Sequence, residues 1–235
     1  MANQKNNTQQ TEEQLLTQSE AFVTKYKKQI IIALVAIAAI VGGCFAFYYG
    51  FLKPREEKAQ AFIAQGQIYA IQGDYDKALQ GDGRFPGFVK VAKEYSFTDA
   101  ANFAKAWAGI CYAHQEKWAE AVKYLEDFSP AGDNSLSPAA MAALANCYAA
   151  TNKVDKAIDK FKDAAKKADN PVLSAQYLLQ AGQLLESQGK ADEALKVYQQ
   201  IKNDYPTSQL CTSQPANGGV MVTPEIDRYI ERAQK

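Results

Sequence analysis

The chain has 235 residues with 26 basic and 26 acidic side chains, so its net charge is zero. That balance removes the electrostatic reason to expect nucleic acid as a partner. Hydrophobic residues make up 47% of the chain, enough for a globular core, and glycine plus proline is modest.

Residues 1–29 are dominated by Asn, Gln, Thr, Glu and Lys, with few large apolar groups. Such a segment cannot bury enough surface to offset ordering entropy, so it reads as a disordered tail. Within it, "EEQLLTQSEAFVTKY" is weakly amphipathic and suits a surface helix leading into a membrane.

Residues 30–52 follow, 23 positions without a charge, framed by Lys28 and Lys53. As a helix this run is roughly 34 Å long at ~1.5 Å per residue, enough to cross a ~30 Å hydrocarbon core. Twelve of the 23 are Ile, Leu, Val or Phe, so insertion is favourable without help. Two readings of the run compete. The 12-residue apolar stretch Ile30–Val41 followed by Gly-Gly-Cys resembles a lipoprotein cleavage box, with the cut before Cys44. Against that, the preceding segment is long and carries Glu12, Glu13 and Glu20, and the run continues through Phe45, Phe47, Tyr48, Tyr49 and Phe51. Aromatics at that place look like an interfacial belt at the far end of an uncut span. Ala38, Gly42, Ala46 and Gly50 recur every four residues and form a candidate face for close packing against another membrane helix. Three lysines before the run, Lys25, Lys27 and Lys28, are balanced by Lys53, Arg55 and Lys58 after it, so charge leaves the orientation open.

From Lys53 onward the periodicity is helical throughout, and Pro and Gly fall between helices. One pattern repeats: a small residue, an aromatic or Leu three later, and Ala twelve later. Gly66–Tyr69–Ala78, Gly109–Tyr112–Ala121, Ala145–Tyr148–Ala157 and Gly182–Leu185–Ala194 all fit. A bulky residue follows four after that Ala in three units, as Leu125, Phe161 and Tyr198, whereas the first unit has Asp82 there. Small residues at the first and third slots let two antiparallel helices touch, and aromatics fill the gaps between pairs. The pattern resembles the tetratricopeptide repeat, whose period is ~34 residues. The offsets here are 43, 36 and 37, so extra material lies between units. The resemblance implies an all-α fold: a single membrane helix, then a solenoid of about four helical hairpins over 53–206.

The longest offset comes from an insertion at 81–97. Gly81, Gly83 and Gly87 make a turn and not a phosphate loop, because no strand precedes them and Pro86 sits inside. Phe88, Val91, Ala92 and Tyr95 then give a short helix with one apolar face. Residues 207–223 read as a loop. In the capping helix over 224–235, Thr223 is expected as the cap and Pro224 as the first helical residue. Ile226, Tyr229 and Ile230 form its apolar side, covering the last repeat.

The first helices of such repeats line a concave groove. The candidates are Gln67, Ile71, Phe103, Ile110, His114, Asn146, Leu179 and Gln183. Gln67, Asn146 and Gln183 hold equivalent slots, where amides suit an extended peptide backbone and apolar neighbours suit its side chains. No Lys or Arg falls on these positions, which sets aside clamping of a C-terminal carboxylate.

Catalytic chemistry has little to work with. The chain has one histidine, His114; Cys111 precedes it by a helical turn, and nothing supplies an orienting group or an oxyanion hole. Metal-ligand spacings are absent, and no cofactor motif is present. The expectation is a non-enzymatic protein. Cys111 and Cys147 hold the same slot of neighbouring repeats, too far apart for a bridge, and read as small buried groups.

Taken together, "AFVTKYKKQIIIALVAIAAIVGG", the four repeats and "QYLLQAGQLLESQGKADEALKVYQQIKNDYP" resemble the ancillary Sec translocon subunit family. Its members are bacterial inner-membrane proteins with one span and a periplasmic tetratricopeptide domain. The resemblance implies a cytoplasmic tail and partners among translocon subunits, a periplasmic chaperone, and unfolded or peptide clients. It also tips the orientation toward a periplasmic domain. The competing expectation is a lipid-anchored repeat scaffold of an outer-membrane assembly machine, which requires lipidation of Cys44.

Overall fold

The computed structural model describes the backbone of residues 2–215 and 221–235, and the side chains of residues 24–213 and 222–235. The chain divides into two compact units, Met1–Pro54 and Arg55–Lys235.

In the first unit, α1 runs Ala2–Phe47 and passes into a π-helical turn, Tyr48–Leu52. The backbone of the polar segment read as a disordered tail is thus helical from Ala2. Its Gln, Glu, Lys and Leu residues have good intrinsic helix propensity, which needs no packed face to act. Ile32, Val35 and Ile40 are 64–68% exposed. Phe45 stacks on Tyr49 with ring centroids 5.9 Å apart, and Phe47 on Phe51 at 5.3 Å, each pair four residues apart. Cys44 is exposed inside α1, and the helix does not end there. Among the described residues, Thr24–Ile71 is the stretch long and apolar enough, by length and composition alone, to cross a membrane.

The second unit is a row of helical hairpins. They are α2 (Lys53–Ile71) with α3 (Tyr75–Gln80), α5 (Asp99–His114) with α6 (Trp118–Glu126), α7 (Leu136–Ala150) with α8 (Val154–Ala168), and α9 (Pro171–Ser187) with α10 (Ala191–Asp204). A short α4 (Phe88–Glu94) lies between the first two hairpins, and α11 (Glu225–Ala233) follows the last.

The small residues fall where the hairpins close. A Cβ on Gly109 would overlap the Leu125 side chain, and one on Gly182 would overlap the Tyr198 ring. Glycine there permits a close approach, and the bulky partner four residues after the Ala fills the space. Tyr198, Leu185 and Phe161 are essentially inaccessible to solvent; each contributes ~1.5–3 kcal/mol of burial.

Each hairpin turns on one left-handed residue, seven after its small residue: Gly73 (φ 79°), Glu116 (φ 57°), Asn152 (φ 58°) and Gly189 (φ 72°). The next amide then reaches back five residues, from Asp74 to the Tyr69 carbonyl (2.9 Å), Lys117 to Tyr112 (3.0 Å), Lys153 to Tyr148 (2.8 Å) and Lys190 to Leu185 (2.9 Å). This bond pairs a helix-end carbonyl that would otherwise lack a partner.

The insertion resolves the irregular first repeat. Asp82 stands where the other units carry a bulky residue. Its Oδ1 accepts from the amides of Arg84 (3.0 Å) and Phe85 (2.8 Å), and its Oδ2 from the Tyr69 hydroxyl (2.5 Å). The tight loop so formed swings Phe85 and Phe88, both fully buried, against Gly66, where a Cβ would overlap both rings. Gly81 (φ 90°) and Gly87 (φ 87°) bring two backbone strands into contact that any Cβ would break. The expected turn and short helix are present, and the loop supplies the side chains the repeat lacks.

At the C-terminal end, residues 207–223 hold more structure than the expected loop. A 3-10 turn (Gln209–Cys211) is followed by a two-residue antiparallel pair, Gln214–Pro215 with Met221–Val222. Thr223 does not cap α11. The helix starts at Glu225, with Pro224 still extended (φ −50°, ψ 139°) at the cap position. With its extended ψ, Pro224 takes the cap position itself, so the helix begins one residue later than expected. Of the expected apolar side, Ile226 is buried in the core of the last repeat and Tyr229 and Ile230 pack half-buried against it, while Ala233 joins Ile226 in the core.

Candidate functional site

The first helices of the hairpins carry the expected groove positions, and two of their N-termini are fixed by side-chain caps. Thr98 accepts from the Ala101 amide (3.0 Å) to start α5, and Asn170 accepts from Val172 (3.1 Å) and Leu173 (2.8 Å) to start α9, with Pro171 next.

Three of the expected groove residues meet in one open depression. Ile110 and His114 of α5 and Asn146 of α7 line it, together with Ala113, Ala143 and Trp118. Trp118 opens α6 and was not anticipated, because groove positions were counted on first helices only. Phe103 lies seven residues before Ile110 on α5 and packs partly buried between two core clusters. Leu179 is half-buried against the last cluster.

The amide ladder does not form as a unit. Asn146 is exposed, and Gln67 is half-buried. Gln183 donates to the Tyr229 hydroxyl of α11 at 3.1 Å, so the capping helix takes that amide. Ile71 is 79% exposed at the end of α2, away from the depression's lining. Of the proposed membrane-packing residues, Ala38, Gly42 and Ala46 lie on α1 and Gly50 in the π turn; nothing stands within 4 Å of where a Cβ on Gly42 or Gly50 would sit.

An aromatic stack borders the depression. His114 stacks on Tyr75 with centroids 4.9 Å apart and planes 6° from parallel. Cys111 is buried, and desolvation pushes its thiol up to about 12; the Cys147 thiol is pushed up to about 11 for the same reason. Neither is a thiolate at neutral pH, and the four cysteines are free of disulfides. A charge network lies at the array's end. The Arg232 guanidinium binds the Glu186 carboxylate, which also accepts from the Tyr198 hydroxyl (2.8 Å), while Lys202 meets Asp227 at 2.6 Å. Arg232 beside it holds the Glu186 carboxyl below its usual range.

Residues 112–171 and 176–208 match models of the tetratricopeptide repeat. The fold is a tetratricopeptide-type solenoid. Solved structures agree. The nearly identical TPR-like repeats described for a putative kinesin light chain of Podosopora anserina superpose with a TM-score of 0.54 at 12% identity, over 76% of this chain and 86% of that one. A singly substituted form of those repeats gives 0.53 at 13%, over 76% and 85%. At such identity the likeness concerns the fold. No curated protein matches the chain in sequence. Tetratricopeptide repeats generally mediate protein–protein interactions, and the depression around Ile110, Trp118 and Asn146 brings apolar and amide groups side by side.

Proposed function

We propose that the protein is a membrane-anchored, non-enzymatic tetratricopeptide adaptor that holds exposed peptide segments of other proteins. The observation that carries this is the pairing of an apolar depression with the exposed Asn146 amide between the first helices of two neighbouring hairpins. Apolar side chains of an extended client suit Ile110, Ala143 and Trp118, and its backbone suits the amide. The charge-free helix over 30–52, exposed along nearly all its length, is the anchor.

The resemblance in the membrane segment and repeats supports a place beside the Sec translocon of a bacterial inner membrane. There the solenoid faces the periplasm, with a periplasmic chaperone and emerging chains as partners. Photo-crosslinking from Ile110 or Phe103 in membranes tests this. Capture of translocon subunits, a periplasmic chaperone or unfolded clients is expected; capture of unrelated proteins alone refutes it. Intact mass of the extracted protein separates this anchor from a lipidated Cys44: the full-length mass is expected, and loss of the first 43 residues with added lipid would favour the envelope scaffold.

A further inference from the structure

Phe97 is an anomaly within the solenoid unit. It is 87% exposed and has a positive φ of 72°, a conformation that a bulky residue rarely adopts. Neither burial nor backbone preference accounts for a phenylalanine at this position. The turn that carries it, between α4 and α5, is nonetheless held firmly. On one side the Arg55 guanidinium donates to the Glu94 carbonyl and lies over the Tyr95 ring, 5.3 Å from its centroid. On the other, the Glu56 carboxylate accepts from the Ala100 amide (3.2 Å). Thr98, buried, closes the base by donating to the Tyr95 carbonyl (2.7 Å).

Both clamps come from the first residues after the apolar run. Leu52, its last residue, and Arg55 are three positions apart, so covalent geometry keeps them within about 11 Å. Ile71, also strongly exposed, lies sixteen residues further along α2, about 24 Å up its axis. We infer that Phe97 is a second membrane contact, inserted into the headgroup–acyl boundary of the bilayer that residues 30–52 cross. This rests on the membrane anchor proposed above. Aromatic rings favour that boundary, and a short tether holds the ring at high effective concentration, so a single side chain suffices to fix which edge of the solenoid meets the lipid. Charges on the solenoid segments that form and clamp the turn are balanced, Arg55, Lys58, Lys90 and Lys93 against Glu56, Glu57, Glu94 and Asp99, so the contact does not require anionic lipid.

The test uses the full chain in nanodiscs of neutral phosphatidylcholine with and without brominated acyl chains. Phe97→Trp adds an emission over that of Trp107 and Trp118. That added emission should be blue-shifted and lose at least about half its intensity in brominated discs, whereas a tryptophan at exposed Ala150 should lose little. Equal emission from Phe97→Trp in both discs overturns the inference, as does a shift that appears only when membrane proteins are added. If the chain instead washes out of the disc with carbonate, the anchor itself has failed. Phe97→Asn, which suits the left-handed turn, should leave the melting midpoint in detergent unchanged or raised; a drop of several degrees would make Phe97 structural and overturn the inference.

Discussion

The first and fourth repeats solve one packing problem in two ways. Opposite Gly182, the filling side chain is Tyr198, delivered by α10 itself at the regular spacing. Opposite Gly66, the short α3 ends before that point, and the filling comes from Phe85, on a loop that Asp82 ties down, and from Phe88, which that loop delivers at the start of α4. A helix delivers a side chain by periodicity; a loop must be given its shape by specific hydrogen bonds. The comparison teaches that Asp82, which breaks the repeat pattern, is what lets the first repeat close.

The largest effect should come from removing the helix-borne filler. Tyr198→Ala leaves a void beside Gly182 and removes one of the hydrogen bonds to Glu186, at a cost of about 3–5 kcal/mol, read by chemical denaturation. Ile226→Ala, which hollows the cover of the same repeat, should cost about 2–4 kcal/mol in the same measurement. A smaller change sharpens the contrast. Asp82→Leu restores the bulky residue of the other repeats, yet it removes the bonds that shape the loop; the melting midpoint should fall by a few degrees, and a rise would show that the repeat wanted its regular residue. Asp82 also predicts a pH signature. Its carboxyl is held down to about 2 against an ordinary 3.8, chiefly by the Phe85 amide. A depressed carboxyl contributes stability that is full above its unfolded value and is lost as pH falls through the folded one. Between pH ~4 and 2 the parent should therefore lose more stability than Asp82→Asn. The smallest effect should be a gain: Glu116→Gly, at the left-handed turn where other repeats have Gly73 and Gly189, should stabilise by about 1 kcal/mol.

Much of this was legible in the sequence because close helix contact demands particular residue sizes at fixed spacing. Gly109, Ala145 and Gly182 with their partners follow from that demand alone. So does the placement of Ile110 and Asn146 on one face. What escaped was geometry carried by backbone or by distant residues. The left-handed turns have a sequence trace in Gly73, Asn152 and Gly189, seven after each small residue, but Glu116 hides the regularity. The engagement of Gln183 by Tyr229 links positions 46 residues apart and leaves no periodic mark. Trp118 lies on a second helix, outside the positions a groove count visits, although its place beside Lys117 at the hairpin turn aims it toward Ala113 and His114. Thr223 looks like a cap by type, but the extended backbone of Pro224 moves the cap one residue on.

A stack of like units has no inherent length, since the face that receives each hairpin is offered again by the next. Here α11 occupies the last such face with Ile226 and presents Arg228 and Glu231 outward, and the Arg232–Glu186 and Lys202–Asp227 pairs lock it in place. The last hairpin is thus closed from within the chain: a molecule stripped of this segment would bare Val197 and Ile201, and concentration-dependent self-association is the expected result.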